Sequence, residues 1–235
     1  MKILLSFFIL ILCLSSGFAQ NDSINLKKTK ASQFMRQEVV PLSLIASGAL
    51  LNIGSIKKKI QDQIPRTNTS LENYLQYTPT IQMYLFDALG FKHQNNVFDQ
   101  TKYLLISQIA SGLLVHTLKN TTQIARPNNE KHSFPSGHTA TAFVNADVLY
   151  QEFKDADPWL AYSGFAVATA TGVLRMTNNA HWLPDVLVSA GIGILTVNVV
   201  YNLKPLKKLQ FSSKDKKVSF TPMVGYKSVA LTCNF

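Results

Sequence analysis

The chain has 235 residues, 46% of them hydrophobic, and a formal charge of +10; that length suits one domain with a substantial core. Mean hydropathy is only +0.08, too low for a chain wholly immersed in lipid, although the apolar residues are clumped. The basic balance calls for an anionic partner, phosphate or anionic lipid, and argues against nucleic acid: no recognition motif is present and the lysines fall at segment ends.

Residues 1–20 read as an export signal: Lys2, the apolar run ILLSFFILILCL, then SSGFAQ with small residues placed for cleavage after Ala19 or Gln20. The apolar run is shorter than the roughly 20 residues a membrane span needs. Cleavage removes Cys13 and leaves Cys233 as the one thiol, so no intrachain disulfide is expected. Residues 21–37 are polar and Lys-rich, a flexible arm. Residues 38–205 hold six apolar segments, at about 39–56, 71–89, 103–118, 138–153, 158–174 and 183–203. Their length and their Gly, Ala and Ser content favour helices, so the fold class is all-α, a six-helix bundle. The second segment carries Glu72, Gln76, Gln82 and Asp87 and reads as amphipathic. Residues 206–235 form a tail in which β-formers flank Gly225, which fits a short terminal hairpin or an extended strand.

Lys119, Arg126 and Arg175 border apolar segments, where an unpaired cation is costly unless it meets an anion. Each alone fits a helix-end or snorkelling role; together they suit a tetrahedral oxyanion, with forked arginine contacts. Pro135-Ser136-Gly137-His138 precedes the fourth segment. There, backbone N–H groups at a helix start can bind an anion, Gly137 permits close approach and the Ser136 hydroxyl can donate. His181 and Asp185 are four residues apart. On a helix that places them on one face, where the carboxylate can fix the imidazole tautomer and free the other nitrogen. No acidic pair for two metals and no zinc spacing is present, so no metal and no other cofactor is expected. The residue types do not decide which histidine attacks.

These residues resemble the type 2 phosphatidic acid phosphatase and vanadium haloperoxidase superfamily, whose motifs K-x6-RP, PSGH and R-x5-H-x3-D stand here at Lys119–Pro127, Pro135–His138 and Arg175–Asp185. Leu174 occupies a position where the family often has Ser. The resemblance implies that His181 is the nucleophile, forming a phosphohistidine with Asp185 orienting it. His138 would be the acid for the leaving alcohol and then the base for water. Lys119, Arg126, Ser136, Gly137 and Arg175 would hold the phosphoryl oxygens. It implies a metal-independent phosphatase acting on phosphomonoesters or pyrophosphates, of lipids such as phosphatidate, isoprenyl pyrophosphate or lipid A, or of a small phosphoester. A vanadate-dependent haloperoxidase and a non-catalytic phospholipid-binding envelope protein are the alternatives. Of the other histidines, His132 falls at the expected entrance to the site.

Membrane members of the family carry six spans with the site outside the cytoplasm and the N-terminus inside. A cleaved signal followed by six spans would invert that side. Either the second segment does not span, which puts Lys57–Lys59 and Lys204, Lys207 and Lys208 together on the inner side, or the bundle rests peripherally on the membrane surface. The expected location is the cell envelope, exported, with a periplasm-facing site.

Overall fold

The computed structural model describes residues 30–208, 219–225 and 228–234; the leader and much of the expected arm lie outside these. Caps written into the sequence set the helix starts. Asn96 Oδ1 accepts from Asp99 N at 2.9 Å, Ser136 Oγ from Thr139 N at 3.4 Å and Asp157 Oδ1 from Leu160 N at 3.1 Å, each satisfying an otherwise orphaned first-turn N–H. The helices are α1 (Lys30–Leu51), α2 (Ile56–Gln61), α3 (Glu72–Leu75), α4 (Thr78–Ala88), α5 (Val97–Thr122), α6 (Gly137–Phe153), α7 (Pro158–Thr177), α8 (Leu183–Asn202) and α9 (Lys204–Lys208). A hairpin of β1 (Ser219–Gly225) and β2 (Ser228–Asn234) pairs antiparallel, Gly225 opposite Ser228.

Two boundaries differ from expectation. α1 begins at Lys30, inside the stretch expected as a flexible arm, because residues 30–37 carry no Gly or Pro to stop a helix. The second apolar segment is broken into α3 and α4 at Gln76–Tyr77, just ahead of Pro79 in the first turn of α4.

α6 and α8 form the centre. α6 buries residues on every side, from Thr139 to Phe153. α8 is the one helix among the described residues long and apolar enough to cross a membrane, yet 83% of its apolar window is buried inside the bundle, the profile of a core helix. Val144, Val148, Leu149 and Phe153 of α6 meet Val197 of α8, Met83 of α4 and Ala161 of α7 in the main core. α1 runs antiparallel to α8: a Cβ on Gly48 would lie 2.9 Å from Pro184 O, and one on Gly191 would lie 2.6 Å from Pro41 O. Neither carbonyl can retreat without bending its helix. Gly191→Ala is therefore expected to cost about 1–3 kcal/mol, measurable as a lower denaturation midpoint; an unchanged midpoint would mean that the α1–α8 contact is loose.

This pairing overturns one expectation about sidedness. α1 delivers α2 to the end of the bundle where α7 finishes and α8 starts: Gln61 Nε2 donates to Met176 O at 2.9 Å, and Lys57 Nζ sits 5.6 Å from the centre of the Trp182 ring. Lys204 and Lys207 lie beyond the other end of α8. The two lysine groups do not share a side, because α1 packs along the whole of α8.

A second correction concerns the segment expected to be amphipathic. Glu72, Gln76 and Asp87 turn inward, with Glu72 at 3% exposure, while Tyr77, Ile81, Leu85 and Leu89 face outward. α5 repeats the pattern, burying Asp99, Gln100, Ser107 and Ser111 and exposing Phe98, Leu105, Ile109 and Leu113. The polar side chains that suggested a water-facing helix find partners inside. Gln100 Nε2 reaches Asp87 Oδ1 at 3.2 Å and the carbonyl of Asn95 at 2.8 Å, as buried polar groups require.

Candidate active site

Every motif residue lies at the same end of the bundle. Lys119 is in the last turn of α5, Arg126 in the loop that follows, Ser136 caps α6, His138 is in its first turn, Arg175 is in the last turn of α7, and Asp185 is in the first turn of α8. The 123–136 loop is folded on itself: Arg126 N donates to Glu130 O at 2.7 Å and Ser133 N to Ile124 O at 2.7 Å. Gln123, Asn129 and His132 take positive φ, which asparagine and histidine tolerate better than branched residues. Trp182 Nε1 donates to Ala125 O at 2.8 Å, tying the loop to the segment that carries His181.

The His–Asp pair is not two residues on one helical face. His181 precedes the helix and Trp182 is the N-cap, so only Asp185 is helical. One carboxylate oxygen collects three donors: Asp185 Oδ2 accepts from Trp182 N at 2.9 Å, from Ser133 Oγ, and from His181 Nδ1 at 3.3 Å. Capping therefore fixes the carboxylate before it meets the imidazole. Ser133, wholly buried, was not anticipated. It is one serine among many, and nothing in its neighbours announces a partner 52 positions away.

His181 is 1% exposed. Burial pushes its pKa down to about 4, opposed by the bond to Asp185 and reinforced by Lys119 and Arg175. The ring is neutral at ordinary pH, with Nδ1 held by Asp185 and the lone pair left on Nε2. Lys119 is lowered to about 8, first by burial and then by Arg126 and Arg175. Its Nζ donates to the carbonyl of His132 at 2.8 Å. Arg126 pairs with Glu130, and Arg175 donates from one terminal nitrogen to Glu72 Oε1 at 3.1 Å. The Nε atoms of both arginines are buried with no partner among the described residues. Three crowded cations with spare donors make a site that an oxyanion would satisfy.

Two anticipated ligands stand differently. Ser136 is fully buried and its oxygen accepts from Thr139 Oγ1 at 2.9 Å, so capping occupies its lone pairs while its hydrogen is still available. Around Gly137 there is open space: a Cβ would meet nothing within 4 Å. His138 Nε2 lies 2.8 Å from Asn73 Oδ1, and burial, Arg175, Arg126 and Lys119 lower its pKa while Glu72 raises it. Beside it a cavity of about 350 Å³ runs between α5, α6 and the turn after α3, lined by Gln76, Tyr77, Gln108, Gly112, Val115 and His138. Glu72 and Asn73 lie at the candidate site outside the motifs, and Asn178 lies there at a variable position within the third. Glu72 reads from the sequence as one polar residue of an amphipathic segment, and a single sequence carries no mark of its pairing with Arg175.

Residues 100–208 match the profile of the PAP2 superfamily, and all three motifs fall within that range. Over this segment the chain is similar to the PAP2 superfamily. It is 31% identical over 144 residues to a lipid A 1-phosphatase of Porphyromonas gingivalis, a match covering 59% of this chain and 32% of that protein; the chain thus spans about a third of the length of that relative. Among solved structures it is similar to Aquifex aeolicus LpxE, at 22% identity and a TM-score of 0.49 over 62% of this chain and 94% of that one. It is also similar to a transmembrane PAP2-type phosphatidylglycerolphosphate phosphatase of Bacillus subtilis, at 19% identity and a TM-score of 0.43 over 88% and 97%.

Proposed function

We propose that this protein is a metal-independent PAP2-type lipid phosphatase of the cell envelope that works through a phosphohistidine. The observation that carries the reading is the His181–Asp185 pair set beside Lys119, Arg126 and Arg175 at one end of the bundle. Nε2 of His181 attacks phosphorus while the three cations take up the charge on the phosphoryl oxygens. The bond to the leaving oxygen breaks as His138 delivers a proton to it. His138 then takes a proton from water, whose oxygen attacks phosphorus; the P–N bond breaks, and inorganic phosphate and neutral His181 result. The positive charge that a metal would bring is already present in side chains.

Two observations support a lipid substrate: the cavity beside His138, where the leaving group must lie, and the outward-facing apolar side chains of α4 and α5. An apolar face of that extent suits contact with lipid, and the lipid A 1-phosphatase relative points to the same class. The periplasm-facing site and removal of residues 1–20 belong to this reading.

Phosphate release is expected from at least one of phosphatidate, isoprenyl pyrophosphate, lipid A and a soluble aryl phosphate, undiminished by EDTA and blocked by vanadate. Loss of all activity with chelator, or no release from any of the four, would sink the reading.

A further inference from the structure

We infer that Asn73 is the positioning residue for His138: its side-chain oxygen holds the proton of Nε2, so that Nδ1 is the nitrogen that exchanges a proton with the leaving group and then with water. The inference rests on the phosphatase reading above.

Asn73 Oδ1 lies 2.8 Å from His138 Nε2. An amide oxygen has no hydrogen to give, so Nε2 must be the donor. That fixes the neutral tautomer as Nε2–H, with the lone pair on Nδ1, as a carboxylate or carbonyl does for many functional imidazoles. His181 is held at Nδ1 by Asp185, so the two histidines would present opposite nitrogens to the same phosphoryl group. An amide in place of a carboxylate orients His138 without adding charge, which suits a group that must alternate between acid and base.

The contact is built rather than incidental. α3, which carries Asn73, is four residues long and could not hold its place alone. Glu72 fastens it to α7 and the turn beyond by accepting at Oε1 from Arg175 at 3.1 Å and from Asn178 Nδ2 at 2.8 Å. Asn178 Nδ2 also donates to Thr69 O at 2.7 Å, and Thr67 N to Thr177 O at 2.9 Å. From α6, Asn145 Nδ2 donates to Gln76 O at 2.7 Å. One dipeptide thus touches a phosphate-binding candidate through Glu72 and the acid candidate through Asn73. Asn73 itself is exposed, so its replacement leaves the bundle's packing in place.

The test compares Asn73→Ala with the wild type on two soluble esters. One is a short-chain alkyl phosphate, which needs its leaving oxygen protonated; the other is 2,4-dinitrophenyl phosphate, which does not. Asn73→Ala is expected to lose about 10–100-fold in kcat/KM on the alkyl ester, a parameter that covers the steps through departure of the alcohol and not the later attack of water, as part of the roughly 10²–10⁴ that a positioned acid supplies. On the aryl ester the loss should be no more than about 3-fold, because no acid is required for departure. Independently, the ¹⁵N spectrum of the wild type is expected to show the His138 ring as the Nε2–H tautomer, and Asn73→Ala should mix the two tautomers. Equal losses on both esters, or an Nδ1–H tautomer in the wild type, would overturn the inference while leaving the phosphatase reading intact. A wild type inactive on both esters and on the lipids named above would overturn the phosphatase reading, and with it this role.

Discussion

His181→Ala is expected to reduce turnover on the order of 10⁴–10⁶-fold, the scale on which removal of a covalent nucleophile acts. The wild type should accumulate an acid-labile phosphoryl adduct after rapid quench, absent from the variant. His181 is buried and neutral, and Nδ1 is committed to Asp185, so no other imidazole can take over its geometry. The substitution leaves Asp185 with two of its three donors, Ser133 Oγ and Trp182 N, so the turn before α8 should survive. A melting temperature within a few degrees of the wild type would separate lost chemistry from lost structure. An adduct that persists in His181→Ala would assign the nucleophile elsewhere.

Asp185→Asn is the second large effect, expected at about 10²–10⁴-fold in kcat/KM, the range seen when the residue orienting a catalytic imidazole loses its charge. An amide cannot accept all three donors as the carboxylate does, and its NH₂ group can turn the His181 ring to the wrong tautomer. The pH profile sharpens the test. In the proposed mechanism His181 attacks only when neutral, and burial pushes its pKa down to about 4, so wild-type kcat/KM should fall as pH drops through about 4. Asp185 raises that value; removing its charge lowers it, and the acid limb moves to lower pH. The alkaline limb belongs to His138, which must be protonated to act as acid and whose pKa lies below the ordinary 6.5, so activity should fall as pH rises past that point. Substrate ionisation contributes equally to both proteins, leaving the shift of the acid limb as the reading. An acid limb that stays put in Asp185→Asn would remove Asp185 from any electrostatic role at His181.

Much of the site was legible because its chemistry is carried by residue types at short spacings. Lys119 with Arg126, the PSGH tetrapeptide, and Arg175 with His181 and Asp185 each occupy a stretch of at most eleven residues. Each falls at a helix end that Pro, Gly and Ser had already marked. The error over His181 and Asp185 was one of local geometry: spacing of four fits a helical face, but the cap begins between them. The second segment is amphipathic as its pattern indicates, but its inner side is not set by that pattern. An amphipathic pattern says that two faces differ, not which faces inward, and the inner side of residues 72–87 and of α5 holds Glu72, Gln76, Asp99 and Gln100 beside Met83, Tyr103 and Leu104.

From its sequence alone this chain declares an all-α scaffold, the motif residues and the kind of anion they would hold, because charge, nucleophilicity and helix-end signals are properties of near neighbours. Folding added what depends on residues far apart in the chain. It set Glu72 against Arg175 across 103 positions and Asn73 against His138 across 65. It also turned Glu72 and Gln76 inward and brought Lys57 beside Trp182. Those arrangements come from the antiparallel packing of α1 on α8 and from α3 being fastened to the end of α7. Neither contact has a periodicity that a linear sequence could display.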